Sequence, residues 1–365
     1  MLLGLLLVFA PGAALGIGRF AYALVLPAMQ TALGLSYAEA GYLGSANTAG
    51  YLLGALISHR VLYAVGYRRG VFGSLWLQAI SLALLAIGGG FGFLIVLRFI
   101  QGVLGAFVFV GGAALLLASG GKSVATGLYF GGVGIGILIS PLILPFLTTW
   151  QVGWLLLAGL SVAMTLVAYL IYRRLEEPTP RSVGGDGSLR PIYAILVAYG
   201  LYGAGYIGYM TFVTTGLEVP IVAYWAVLGF GAALTGFIWG PLVQRLGGEK
   251  GLVIVLLSLA SSSLYWLVIT LPWVSAFLFG LSFLGVITAI TDIFRNYLPP
   301  SGWARAMGLS TAAFATGQAV GPSLSGLAGD LFGGPVGAIT LSTVLLVLAL
   351  LVSSAVVLRT PSQSK

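Results

Sequence analysis

A chain of 365 residues with 7% charged and 59% apolar side chains departs far from the roughly one-quarter charged content of soluble domains. That composition and a mean hydropathy of +1.08 exclude a soluble globular enzyme and a disordered chain. The 55 Gly without a Gly-X-Y period exclude collagen, and the absence of Cys excludes disulfides and thiolate metal sites.

A helix needs about 20 mostly apolar residues to cross about 30 Å of hydrocarbon. Such runs predict twelve spans: 3–31, 38–59, 69–88, 92–118, 123–147, 150–172, 191–216, 219–243, 251–270, 273–296, 303–327 and 335–358. The fold class expected is an all-α polytopic membrane protein. The first run resembles a leader, but no Lys or Arg precedes it and it continues to Met29, so it reads as a retained span. Arg19 lies near its middle, with Tyr22 on the same face and Pro27 bending the helix. Span two carries Asn47 and ends Gly54 through Ser58-His59-Arg60. His59, the single His, reads as an interfacial cap, since a lone His makes neither a metal site nor a triad.

Span four brings Arg98 and Gln101, and span five brings Gly127, Gly136 and Ser140-Pro141. The polar stretch after span six, Arg173 to Arg190, reads as a linker. The expected organisation is an N-terminal six-helix half, 1–172, a cytoplasmic linker, 173–190, and a C-terminal six-helix half, 191–365. Span seven aligns Tyr199, Tyr202, Tyr206 and Tyr209 in one stripe, either as a cavity wall or as helix packing. Its Gly203 to Gly208 matches a dinucleotide fingerprint but follows no strand. Gly121-Lys122-Ser123 lacks the first Gly of a P-loop. No cofactor, ATP site or metal site is therefore expected, and no nucleophile with its base suggests an enzyme. Span ten holds Asp292 with Arg295 one turn on, read as an inner-gate ion pair or a proton-coupling carboxylate. Span eleven holds Gly308, Gly317, Gln318, Gly321 and Pro322.

With the N-terminus inside, 14 of the 16 basic residues fall on the cytoplasmic side and none outside, as the positive-inside rule requires. Both termini are then cytoplasmic, in the cell (inner) membrane. The net charge of +8 reflects this topology and anionic lipid, with no nucleic-acid surface. The pattern Gly-x8-Gly-x3-(Gly/Ser)-Pro occurs on spans five and eleven at an offset of 181. Gly54 through Ser58 and Gly236 through Gly240-Pro241 repeat at 182. Agreement at corresponding spans argues for duplicated halves.

These residues resemble the major facilitator superfamily. The Gly-x8-Gly-x3-Gly-Pro pattern resembles its antiporter motif, though Ser140 replaces a Gly in the span-five copy. Arg98 to Gly102 resembles its Arg-x-x-x-Gly motif. Gly54 to Arg60, with Gly66-Tyr67-Arg68-Arg69, resembles the loop motif after span two, with Ser58 where the family has Asp. Gly16-Ile17-Gly18-Arg19-Phe20-Ala21-Tyr22 and Leu33-Gly34-Leu35-Ser36 resemble the YbfB/YjiJ-type branch. The resemblance implies two pseudo-symmetric halves, a cavity lined by spans one, four, seven and ten, and glycine-rich helices that permit rocking.

An intramembrane Arg costs at least about 2.5 kcal/mol and needs a partner, yet no acid lies at the depth of Arg19 and Arg98. Either they grip an anion, or carbonyls and amides such as Asn47, Gln78 and Gln101 pin them. The pin is preferred for Arg98, the substrate contact for Arg19. The expected substrate contacts are Arg19, Tyr22, Asn47, Arg98, Gln101, Tyr199, Tyr202, Tyr206 and Gln318. Conformational roles are expected at Gly54, Arg60, Gly127, Gly136, Pro141, Asp292, Arg295, Gly308, Gly317, Gly321 and Pro322. The function expected is secondary active transport of a small organic solute, with an anion or zwitterion favoured, by an ion- or solute-coupled exporter or antiporter. Alternatives are a multidrug or lipid-like amphiphile exporter or flippase, or a facilitative uniporter. A monomer in membrane lipid is expected, with a proton or counter-ion as coupling partner.

Overall fold

The computed structural model describes residues 8–119, 123–178, 192–269, 271–298 and 300–359. Helical rods follow one another across this length, and no strand occurs among the described residues. They are α1 (Phe9–Leu33), α2 (Tyr37–Val65), α3 (Tyr67–Leu85), α4 (Phe91–Ala118), α5 (Ser123–Ile139), α6 (Trp150–Tyr172), α7 (Tyr193–Phe212), α8 (Ile221–Leu246), α9 (Gly248–Leu264), α10 (Pro272–Phe283, resumed as Gly285–Tyr297), α11 (Pro300–Leu331) and α12 (Pro335–Arg359). Eight of the rods are long and apolar enough to cross a membrane. The others include α2 and α11, which carry buried Asn47, Thr48, Ser58, Ser310, Gln318 and Ser325. These polar residues lie on the packed sides of the two helices, away from their exposed apolar faces, so the mean hydropathy falls.

Short connections alternate between two ends of the bundle. One end carries Arg60, Arg68, Arg69, Arg173, Arg174, Arg245 and Lys250 and is called the basic end; the opposite one is the far end. At the basic end α2 passes to α3 through Gly66 at φ +86°, and α8 passes to α9 through Gly247 at φ +82°. Only glycine adopts this backbone freely. The two positions differ by 181 residues, the same offset as the glycine-proline pattern.

Local deviations from ideal helix have identifiable causes. α1 widens into a π-helical stretch over Gly12–Phe20, where Ala21 N–H bonds to the Gly16 carbonyl at 3.1 Å. The irregularity therefore precedes Pro27, the residue expected to bend the helix. Wide turns of this kind cluster at functional sites, and this one carries Arg19. The fifth predicted span, 123–147, is α-helical only to Ile139 and tightens into a 3-10 turn over Ser140–Phe146, because Pro141 and Pro145 remove N–H donors.

Glycines bring particular helix pairs into backbone contact. A methyl group at Gly136 of α5 would overlap the Gly12 carbonyl of α1, and one at Gly317 or Gly321 of α11 would overlap the Gly200 or Ala204 carbonyl of α7. The repeated glycines thus pack α5 on α1 and α11 on α7, within each helix set. Their tightest contacts stay within one set. Gly54 likewise packs α2 on Val103 and Ala106 of α4. Close approach of this kind drives helix association in lipid, where the hydrophobic effect is weak.

Gly317→Ala is expected to overpack the α7–α11 contact at a cost of about 1–3 kcal/mol. Gly236→Ala, which adds its methyl to open space, is expected to leave the melting midpoint unchanged. Equal midpoints for the two variants in detergent would contradict this packing role.

Candidate functional site

The helices up to α6 and those from α7 meet along two seams, α2 with α11 and α5 with α8. Hydrogen bonds across the seams lie in the half of the bundle toward the far end. There Thr48 Oγ1 donates to the Gln318 carbonyl at 2.7 Å, Ser323 Oγ meets Ser45 Oγ at 2.7 Å, and Trp225 Nε1 donates to Ser140 Oγ at 3.0 Å. Thr214 Oγ1 donates to the Ala23 carbonyl at 2.6 Å, tying α1 to the end of α7. Pro322 packs against Gly41 and Gly44 of α2. Toward the basic end, Gly131, Gly236 and Gly240 each have open space at the Cβ position.

The far-end seam is closed by a carboxylate. Asp330, at the end of α11, accepts from Tyr37 N–H at 2.8 Å and Ala38 N–H at 2.9 Å. These are the first two orphan donors of α2. Ser36 and Glu39 form a capping box on the same helix end, whose Ser-x-x-Glu spacing is legible in sequence. Asp330 adds its charge to the positive end of the helix dipole. The corresponding start of α8 has Pro220 at its cap and no side-chain acceptor, so the two seams differ.

The buried centre lies between these seams. Among the described residues, Arg19 and Arg98 are the charged side chains that are fully buried. Arg98 is held on several sides. Its Nη1 donates to the Gly18 carbonyl at 3.0 Å and to Gln101 Oε1 at 2.9 Å. Its guanidinium lies 4.6 Å from the Tyr22 ring centroid and 5.9 Å from that of Trp154. Asn47 Nδ2 donates to the Arg98 carbonyl at 3.1 Å, and Gln78 Nε2 to the Ala14 carbonyl at 2.7 Å. Tyr22 donates its hydroxyl to the Ala40 carbonyl at 2.9 Å.

Arg19 is held differently. Its guanidinium lies 5.4 Å from the Phe20 centroid and 5.2 Å from the Tyr51 centroid, but its buried Nε and Nη2 have no hydrogen-bond acceptor. Beside it is a cavity of about 10 Å³, lined by Arg19, Phe20, Tyr22 and Ala23 of α1 and by Ile207, Met210 and Thr211 of α7. That is room for about one water. The site straddles the boundary between the two helix sets.

Opposite stands an aromatic ladder. Tyr199, Tyr202 and Tyr206 stack at centroid spacings of 5.7 and 5.0 Å, and Phe314 lies nearly parallel to all three. Gln318 Nε2 donates to the Tyr206 hydroxyl, leaving Gln318 Oε1 buried without a donor. Tyr209 leaves the stripe: its hydroxyl bonds Tyr224 at 2.6 Å and its ring stacks on Phe279 at 4.2 Å. Phe20, Phe283 and Phe314 do not stand out in the sequence, where a Phe in an apolar run carries no signal. Asp330 has a faint one, as an acid beside a span end.

The expected conformational residues disperse. Arg60 is exposed at the basic end and Pro141 is buried in the 3-10 turn. Asp292 accepts from Asn296 at 3.2 Å. The Arg295 side chain, Gly127 and Gly308 lie outside the described residues except for their helical backbone.

Comparison with known proteins decides the family. A family model described as "Uncharacterised MFS-type transporter YbfB" matches residues 12–354. The chain belongs to this family of major facilitator transporters. Two crystal structures share its fold. The nucleoside transporter NupG in an Asp-to-Ala mutant form is 14% identical, with 98% of this chain and 99% of that one covered and a TM-score of 0.77. NupG without that mutation is 14% identical, with 99% and 100% covered and a TM-score of 0.75. No curated protein matches the sequence. This YbfB-type chain is therefore a membrane transporter of the major facilitator fold and not an enzyme.

Asp330→Ala is expected to loosen the far end. Loss of a cap worth about 1 kcal/mol corresponds to about a fivefold shift in population. A reporter cysteine at Ser45 is expected to react correspondingly faster with maleimide in detergent. An unchanged labelling rate would remove the carboxylate from this role.

Proposed function

We propose that this protein is a secondary active transporter of small organic anions or zwitterions. In this reading residues 1–172 and 191–365 are rigid halves joined by the linker 173–190. They rock about a central site, giving alternating access. The basic end is cytoplasmic, as are both termini, and the seam closed by Asp330 faces outward in the cell (inner) membrane. The glycine-proline pattern on α5 and α11 favours export or antiport with an ion or second solute. The chain is proposed to act as a monomer.

The observation that carries this reading is the Nε and Nη2 pair of Arg19, buried at the boundary of the halves without an acceptor. An ionised donor left unpaired in low dielectric is costly, so an arriving anion meets a site already prepared for it. Gln318 Oε1, also without a partner, offers an acceptor for the ammonium of a zwitterion. A cationic substrate would instead want a buried acid, and among the described residues none is buried. The second reading, export of an amphiphile, draws on a lateral groove of about 320 Å³ between α9 and α12, lined by Leu264, Leu267, Val344 and Val347 among others.

A thermal-shift panel of organic anions, cations and lipids at two pH values separates these readings. Stabilisation by anions that vanishes in Arg19→Ala, with an unchanged elution profile, is expected. Stabilisation by lipids alone would favour the amphiphile reading. Arg98→Ala is expected to lower the yield of folded protein, since its loss strands the Gly18 carbonyl and Gln101. For Asp292→Asn, retained binding with altered transport rate is expected; loss of pH dependence with transport otherwise intact would assign proton coupling to Asp292 instead.

A further inference from the structure

We propose that the Arg19 site is built for an aromatic monocarboxylate, a deepening that rests on the anion reading above. The charge count comes first. Nε and the Nη2 beside it form one edge of the guanidinium, the edge that takes both oxygens of a carboxylate in parallel hydrogen bonds. On Arg19 both are free of acceptors. Arg98 offers less: its Nη2 reaches the Arg19 carbonyl at 3.5 Å, so that on the same edge only Nε lacks an acceptor, its Nη1 is spent on the Gly18 carbonyl and Gln101, and Tyr22 and Trp154 cover its faces. One open fork takes one carboxylate. A second carboxylate would have to turn to Arg98, whose Nη1 and Nη2 already have acceptors, since no other charged side chain is buried among the described residues.

The walls decide the rest of the molecule. Phe20 follows Arg19 in the chain and meets Phe283 of α10 edge-to-face across the boundary, with centroids 5.9 Å apart. On the far side of that contact Phe283 lies nearly parallel to Tyr206 at 5.8 Å, and Tyr206 is parallel to Phe314 within 3°. On the near side Tyr51 covers the Arg19 guanidinium. A solute on the Arg19 fork must part Phe20 from Phe283 and replace the ring contact it breaks. An aromatic ring restores both the buried area and the edge-to-face geometry, whereas a saturated ring of the same size restores the area alone.

The test is binding to the purified full chain in detergent, measured by calorimetry, of four matched probes: phenylacetate, cyclohexylacetate, benzene-1,4-diacetate and benzyl alcohol. Phenylacetate is expected to bind about fivefold tighter than cyclohexylacetate, the margin an aromatic contact supplies beyond its area. The diacetate is expected to bind more weakly than phenylacetate, and the alcohol not measurably. In Arg19→Gln carboxylate binding is expected to vanish, and in Phe283→Leu the phenyl preference is expected to collapse while carboxylate binding persists. Equal binding of the phenyl and cyclohexyl acids, both lost in Arg19→Gln, would overturn the aromatic inference and leave the anion reading standing. Tighter binding of the diacetate would overturn the single-carboxylate count. No binding by either monocarboxylate, or binding indifferent to Arg19→Gln, would overturn both readings. If a variant does not fold, the comparison of the four probes on the unsubstituted chain still decides the ring and the charge count.

Discussion

A guanidinium held inside a bilayer with no acid to neutralise it is the constraint around which this bundle is arranged. Arg19 cannot face lipid, so the helix that bears it must be enclosed: α1 is 94% buried along its membrane-spanning window, against 44% for α6. The first helix of the second set, α7, is enclosed to 78%. Enclosure raises the cost of an unmatched charge, because the surroundings lose water. Arg98 meets most of that cost with carbonyls, the Gln101 amide and ring faces already fixed in the N-terminal set, only its Nε lacking an acceptor. Arg19 meets it only partly, with ring faces on one side and an open fork on the other.

Glycine makes this enclosure possible. Two polar, aromatic-lined helices can sit at the centre only if their neighbours approach to backbone contact, as α5 does through Gly136 and α11 through Gly317 and Gly321. The doubled pattern has one function in each set: it fastens the first helix of the set to the fifth. Pro322, which follows on α11, reaches Gly41 and Gly44 of α2, and so the same stretch of chain both packs its own helix set and forms its boundary.

The two ends of the boundary are built from different interactions. Toward the far end, hydroxyls, carbonyls and the Asp330 carboxylate join the sets through individually modest bonds, each of which water can replace when the seam parts. Toward the basic end, glycines face open space. The far end of the boundary is thus held by replaceable hydrogen bonds, whereas at the buried centre Phe20 meets Phe283 across it.

Much of this is readable before any coordinates. Charge sparsity, the length of the apolar runs, the side on which the basic residues fall and the 181-residue repeat follow from the physics of a bilayer acting on each segment independently. That is why the rods, the family and the isolation of Arg19 from any acid can be read from residues alone. What cannot be read depends on pairs distant in sequence: Asp330 on the start of α2, Phe20 against Phe283, Phe314 beside the tyrosines, and which of two similar arginines keeps an open fork. A Phe in an apolar run looks the same whether it meets lipid or a partner ring, and an Arg looks the same whether a carbonyl or nothing faces it. The sequence determines what the membrane will accept at each position; the tertiary structure decides which of those positions face one another, because that depends on packing between helices rather than on the solvent around each one.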